Sequence, residues 1–359
     1  MSDRMINHFM EMVKIDSESG NEANFINYLK KQFHDLGAEV QKDSYGNLIS
    51  KLPAKGCEGK EPILLSCHAD TVKPGVGIEP QLLEGVITSK GDTILAADDK
   101  AGIAEMIEAI KTATIYPPLE IAITRQEEVG LLGVKNLDFS LISAQKGFLL
   151  DNDTLDTIIV GGPSYFTFDV ELKGKAAHAG MEPEKGINAI EAAAKGIAKL
   201  KLGRLDSNTT ANVGVIKGGM IRNGVPDSCN FLAECRSLIH EKAKKLADEM
   251  YAAMEVEFKS VGVEYEINMN NPFKAVNIPE DSWTVMTSKK ALATIGVEDA
   301  KPVFMTGFTD ASVYNNMGIE MAVVGIGAKL EHSTDEHIYV EDMKRAVKMI
   351  HELFRLSAE

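Results

Sequence analysis

Five short runs in this chain combine residue types that can hold metal ions and move protons. The first is Cys67-His68-Ala69-Asp70-Thr71, directly after the apolar stretch Ile63 to Leu65. In extended backbone, residues two apart point to the same side. Asp70 can therefore accept the ring N–H of His68 and fix the tautomer that binds a metal; a plain surface His-x-Asp pair has the same spacing. The second is Ala97-Asp98-Asp99-Lys100-Ala101-Gly102, where a strand-like segment meets a helix start. Helix capping accounts for Asp99, because a carboxylate there satisfies orphan amides and the helix dipole. It accounts less well for two acids in a row. The third is Arg125-Gln126-Glu127-Glu128-Val129-Gly130. Adjacent carboxylates at the end of a buried strand repel each other, and a cation or a shared proton relieves this, as a solvated loop also would. One such carboxylate can hold a metal while its neighbour takes a proton from water. Leu149-Leu150-Asp151-Asn152-Asp153 and Glu331-His332-Ser333 complete the set.

Short apolar runs precede most of these groups. Ile63 to Leu65, Leu119 to Ile123, Gly147 to Leu150 and Met321 to Val324 read as strands buried on both faces. Helices are expected from Ile6, Phe9, Met10 and Val13, and from Phe25 through Leu36, with Gly37 at the helix end. Further helices are expected from about Asp99 to Ala113 and from Asp342 to Leu356. This alternation predicts an α/β layer with a mixed sheet flanked by helices. Near Gly161 the pattern changes. Phe166, Phe168, Val170 and Leu172 alternate, followed by a helix from Ile187 to Leu200, strands near Val213 to Ile216 and Phe231 to Cys235, and a helix from Ala243 to Phe258. That order is a small split βαβ unit. The expected organisation is a discontinuous domain, residues 1–162 and 272–359, with a second α+β domain, 163–271, inserted.

In open α/β sheets, sites gather at the carboxyl ends of strands. Two imidazoles and three carboxylates suit two zinc-like ions with one carboxylate bridging them. Two divalent ions, three carboxylates and a hydroxide make a neutral first shell, which leaves Glu127 over as a base.

Composition narrows the alternatives. The chain has 359 residues, a net charge of −15 and 44% hydrophobic residues. That charge disfavours nucleic acid and anionic membrane surfaces as partners. There is no apolar run long enough to span a bilayer, and the acidic start does not read as a signal peptide. Four scattered cysteines without a CxxC pair suit a reducing, cytoplasmic setting. No GxGxxG opens a helix, and GxxxxGK[ST], GxSxG and HExxH are absent. His332-Ser-Thr-Asp-Glu-His337 is one residue too long for the inverted zincin motif.

The order His-x-Asp, Asp-x-Lys-x-Gly, Glu-Glu, Asp, His, with a small domain inserted between the last two, resembles the co-catalytic di-zinc exopeptidases along the whole chain. That family includes peptidase T, carboxypeptidase G and succinyl-diaminopimelate desuccinylase. Ala97 to Glu105 is most similar to the peptidase T branch. The resemblance implies that His68 and Asp151 hold one zinc, Glu128 and His332 the other, and that Asp98 bridges them. It also implies that Asp70 orients His68 and Glu127 activates water. Co2+ or Mn2+ would fit the same donors. An Asp at position 151 accompanies aminopeptidases in this family, a Glu carboxypeptidases and deacylases. In the inserted domain, Gly174-Lys175-Ala176-Ala177-His178-Ala179-Gly180 is similar to the segment whose His assists the carbonyl oxygen, across the subunit interface in dimeric members. Asn223, Arg236, Gly307 and Thr309 match substrate-contacting positions. The implied protein is a homodimeric aminopeptidase on short peptides, with the inserted domain as lid and dimer contact. Two departures stand out. The family's Gly-Gly-x-Asp reads Gly307-Phe308-Thr309-Asp310, where Phe308 would narrow the pocket, and the chain is shorter than a typical peptidase T. The rival readings are an amidohydrolase on N-acyl amino acids and a catalytically silent zinc-binding protein.

Overall fold

The computed structural model describes residues 2–305 and 307–359. The chain forms two compact units, residues 1–161 with 278–359, and residues 162–277.

The first unit is built on a mixed sheet. Its longer strands are β1 (Glu39–Lys42), β2 (Leu48–Leu52), β3 (Ile63–His68), β4 (Leu119–Thr124), β5 (Lys146–Asn152), β6 (Thr157–Gly162), β7 (Lys301–Phe304) and β8 (Glu320–Gly325). They lie in the order β1-β2-β4-β3-β5-β8-β6, with β7 alongside β6. Every residue of β3 and β4 is buried, as expected for apolar runs covered on both faces. β4, β3, β5 and β8 run parallel; β2 and β1 close that edge antiparallel. The parallel strands therefore share one carboxyl end. β3 and β5 pack closely because Gly147 has no side chain: a Cβ there would lie 1.9 Å from the Leu64 carbonyl oxygen. Gly147→Ala should lower stability by about 1–3 kcal/mol, read as a fall in thermal midpoint.

Among the described residues, α1 (Ser2–Val13), α2 (Ala23–Asp35), α3 (Ala97–Thr112), α5 (Val340–Ser357) and the helix Trp283–Ala293 frame this sheet. A short α4 (Asp310–Asn316) precedes β8. Gly37 closes α2 with φ +86°, the left-handed conformation glycine adopts without a steric penalty. α3 runs through the interior, with Ile103, Met106, Ile107 and Ile110 buried in the core it shares with α1 and α5. Asp98 and Asp99 are not helical (φ/ψ −78°/107° and −118°/29°), so the regular helix begins after them. Asp99 is not the cap that its position allows. Its carboxylate is buried and accepts the backbone N–H of His68 at 3.0 Å, tying the helix start to the end of β3.

The second unit is a five-stranded antiparallel sheet in the order 203–206, 209–218, 228–237, 164–173, 264–273. The helices Ala189–Ala198 and His240–Val261 supply the rest of its core. Along Ser164–Lys173 every second residue is buried, the alternation expected of a sheet with one covered face. The strand 228–237 sits between 164–173 and 209–218, which makes the βαβ connection a split one. Gly203–Asp206 is a strand that periodicity misses, because its four residues carry no apolar alternation and are mostly exposed. Among the described residues, no helix is long and apolar enough to cross a membrane.

Candidate metal and active site

The parallel strands deliver their acids and histidine to one end. His68 is the last residue of β3, Asp151 the last but one of β5, and Glu127 and Glu128 follow β4. Asp98 lies at the start of α3, and His332 in the loop after β8. The two carboxylate oxygens of Asp98 face different imidazoles. Oδ1 is 2.9 Å from His68 Nε2, and Oδ2 is 3.2 Å from His332 Nε2. Each imidazole nitrogen has a second carboxylate. His68 Nε2 is 3.5 Å from Asp151 Oδ1, and His332 Nε2 is 2.9 Å from Glu128 Oε1. Candidate ligand atoms of His68, Asp98 and Glu128 lie within 4.8 Å of one another, as do those of His68, Asp99 and Asp151. Asp99 already serves the His68 backbone, so Asp98 is the acid left to face both rings.

Asp70 is fully buried and acts on both sides of the site. The His68 Nδ1 nitrogen has the main-chain carbonyl of Asp70 at 3.0 Å and its carboxylate at 3.5 Å. The carboxylate also accepts the N–H groups of Glu127 (2.8 Å) and Glu128 (3.2 Å) and the Ser19 hydroxyl (2.7 Å). So the ring is oriented mainly through the backbone, and the side chain mainly holds the Glu127-Glu128 turn. Hydrogen bonds from His68, Ser19 and Glu127 outweigh the cost of burial and keep Asp70 below its usual pKa.

Three buried partners of this site carry no sequence signal of their own. Glu22 Oε2 accepts from Arg125 Nε and Nη2 at 3.0 and 2.7 Å, and Asn47 Oδ1 accepts the Arg125 backbone N–H at 3.1 Å. Together they anchor the turn in which Gln126 has φ +54°. Glu336 accepts the N–H groups of Leu95, Ala96 and Asp98 at 2.7, 2.8 and 3.1 Å. The nearest clue to Glu336 was its place in the His332 to His337 run.

The electrostatics reflect how many carboxylates meet at the site. Burial pushes Glu127 well above the usual carboxylate range against the pull of His68, and Asp151 and Asp310 push it further. Burial raises Asp151 to about 6 despite His68. Burial alone would lower His68, but Asp98, Asp151 and Asp70 hold it well above its usual value. Hydrogen bonds to Asp98 and Glu128 bring His332 to about 10. Glu127 and Asp151 are driven toward the neutral form and both imidazoles toward the charged one, which is how titratable groups respond to an excess of carboxylates at one site. Divalent cations fit that excess, and imidazole with carboxylate is a donor set that zinc accepts.

Thr309 is buried immediately before α4, and Gly307 is half-buried. Asp310, next in the chain, is buried and accepts the Thr124 hydroxyl. In the second unit His178 is exposed and bridges Gly224, and the Ala179 N–H bonds the Asn223 carbonyl at 3.0 Å. His178 and Asn223 are thus neighbours. Arg236 is not near them. It lies at the far end of the 228–237 strand, opposite Tyr165. There its guanidinium is held by both Glu234 oxygens at 3.0 Å and stacks on the Tyr165 ring.

Residues 162–261 match the family model described as a peptidase dimerisation domain. Over the full chain the structure is similar to that of an aminopeptidase PepT from Bacillus cereus, with 38% identity, a TM-score of 0.94, and coverage of 100% of this chain and 99% of that one. It is equally similar to a tripeptidase from Staphylococcus aureus, at 31% identity, TM-score 0.94, and the same coverage. A peptidase T of Desulfitobacterium hafniense is 25% identical over 413 residues, covering 99% of this chain and 98% of that protein.

Proposed function

The chain belongs to the M20 family of metallopeptidases, in its peptidase T-like branch, and from that premise we propose that it removes the N-terminal residue from short peptides, tripeptides foremost. The observation that carries this reading is the shared carboxylate of Asp98, with a different imidazole on each oxygen. We assign one zinc to His68, Asp98 and Asp151, and the other to His332, Asp98 and Glu128. When bound, the two ions would supply Lewis acidity, polarising the scissile carbonyl and acidifying water. The chain's own residues do the rest. Glu127 takes a proton from the attacking water at its carboxylate and returns it to the leaving amine nitrogen. Asp70 holds the Glu127 N–H, so the base stays on its turn. Asp70→Asn should lower activity and zinc affinity about 10–100-fold, measured by kcat/KM and chelator competition.

His178, Asn223, Arg236, Gly307 and Thr309 are proposed to contact the peptide. This reading calls for a homodimer. Arg236 pairs with Tyr165 and Ser228 with Lys173, so Arg236 and the His178–Asn223 end are separated by about eight strand residues, or ~26 Å. A tripeptide spans about 10 Å. One peptide can therefore meet both groups only if they come from different copies. His178→Ala should cost about 10²–10³ in kcat, as for other lost oxyanion donors. Mixing His178→Ala with Arg236→Ala subunits should restore roughly a quarter of wild-type activity, because half of the sites in each mixed dimer are intact. No recovery on mixing would place both groups in one subunit's site. The four free cysteines suit a cytoplasmic setting.

A further inference from the structure

We propose that Glu336 is the positioning residue that locks the bridging ligand and the His332 loop into one unit, and so sets the affinity for one of the two metals. The inference rests on the two-metal reading above.

The segment before α3 is an anion nest. Ala96 adopts a left-handed conformation, φ +60° and ψ +36°, without being glycine. That turns the neighbouring backbone N–H groups toward a common point. Glu336 fills that point, with its Oε2 on Leu95 and Ala96 and its Oε1 on Asp98. Glu336 is 2% exposed, so these are its bonds in place of water. The third N–H belongs to Asp98 itself, so the carboxylate fixes the backbone from which the shared ligand projects.

Glu336 also belongs to the loop that carries His332. Within that loop Leu330 and His332 both have positive φ, 54° and 59°. Non-glycine residues hold such conformations only where the surroundings enforce them. The Glu336 N–H bonds back to the Ser333 carbonyl at 3.1 Å, closing a turn from Ser333 to Glu336 directly after His332. A single side chain thus ties the His332 turn to the Asp98 turn. His332 Nε2 and Asp98 Oδ2 stand 3.2 Å apart, and Glu336 connects the backbones on which that separation depends. The metal assigned above to His332, Asp98 and Glu128 is the one Glu336 governs. The His68 and Asp151 side is anchored separately, by β3, β5 and Asp99.

The test is zinc titration of the full-length protein against a competing chelator, for wild type, Glu336→Gln and Glu336→Asp. The Gln variant keeps the shape but turns an amide donor toward backbone donors. We expect two binding steps in wild type, with one of them weakened about 10–100-fold in Glu336→Gln. Glu336→Asp should fall between, and added zinc should recover turnover in both. The thermal midpoint of the metal-free protein should change little. Two unchanged steps in the variant would overturn the inference while leaving the two-metal reading intact. A lowered metal-free midpoint with no recovery on added zinc would also overturn it, leaving Glu336 a fold-holding residue only. A wild type that binds fewer than two zinc ions would overturn the two-metal reading itself, and this inference with it.

Discussion

Glu127→Gln should lower turnover of a tripeptide by about 10²–10⁴-fold, the usual contribution of a positioned acid–base group, while zinc content and fold stay unchanged. The substitution is nearly isosteric. It removes the proton acceptor without touching a carboxylate assigned to a metal. The turn that carries Glu127 is held through its backbone, by Asp70 on the Glu127 and Glu128 N–H groups and by Glu22 on Arg125. The variant should therefore keep the arrangement of His68, Asp98, Glu128, Asp151 and His332. Kinetics paired with elemental analysis of zinc checks both halves. Near-normal turnover would move the proton transfer to another group, and loss of zinc would make Glu127 a ligand.

Asp98→Ala should have the larger consequence. Both imidazoles lose their common partner at once. His68 Nε2 keeps only Asp151, at 3.5 Å, and His332 Nε2 keeps only Glu128, at 2.9 Å. Two cations close together with no shared carboxylate repel each other through the gap. We expect activity below detection, and zinc falling from two ions toward one per chain, by the same elemental analysis. Full zinc occupancy with measurable turnover would show that Asp98 is not shared. The contrast with Glu127→Gln is the useful part, since one variant separates chemistry from metal and the other couples them.

The parts of this molecule that were legible in its sequence are those set by local pattern. Ile63 to Leu65 and Leu119 to Ile123 announce buried strands because a strand covered on both faces has no polar side. An acid or histidine straight after such a run stands out. The split order of the inserted unit followed from its succession of strand, helix, strand, strand, helix and strand, and the alternation of Phe166 to Leu172 marked the first strand as covered on one face. What stayed hidden depends on backbone groups or on pairs far apart in sequence. Glu336 works through three amides some 240 positions away, and an amide has no letter in the sequence. Ala96, Gln126 and His332 take left-handed conformations that only glycine would have advertised. Asp70 was expected to hold the His68 ring by its side chain. The nearer group is its carbonyl, because the carboxylate is occupied by Ser19, Glu127 and Glu128. The Glu234–Arg236 pairing was within reach, since residues two apart on a strand share a face.

Metal-dependent aminopeptidase action on short peptides can be tested on the intact protein. The most direct measurement is release of N-terminal amino acids from a mixed di-, tri- and tetrapeptide library, with and without a chelator, beside a set of N-acetyl amino acids. We expect chelator-sensitive release, strongest from tripeptides, restored by zinc, with the acetylated compounds untouched. Hydrolysis of the acetylated amino acids with every peptide left intact would contradict it and make this chain an amidohydrolase.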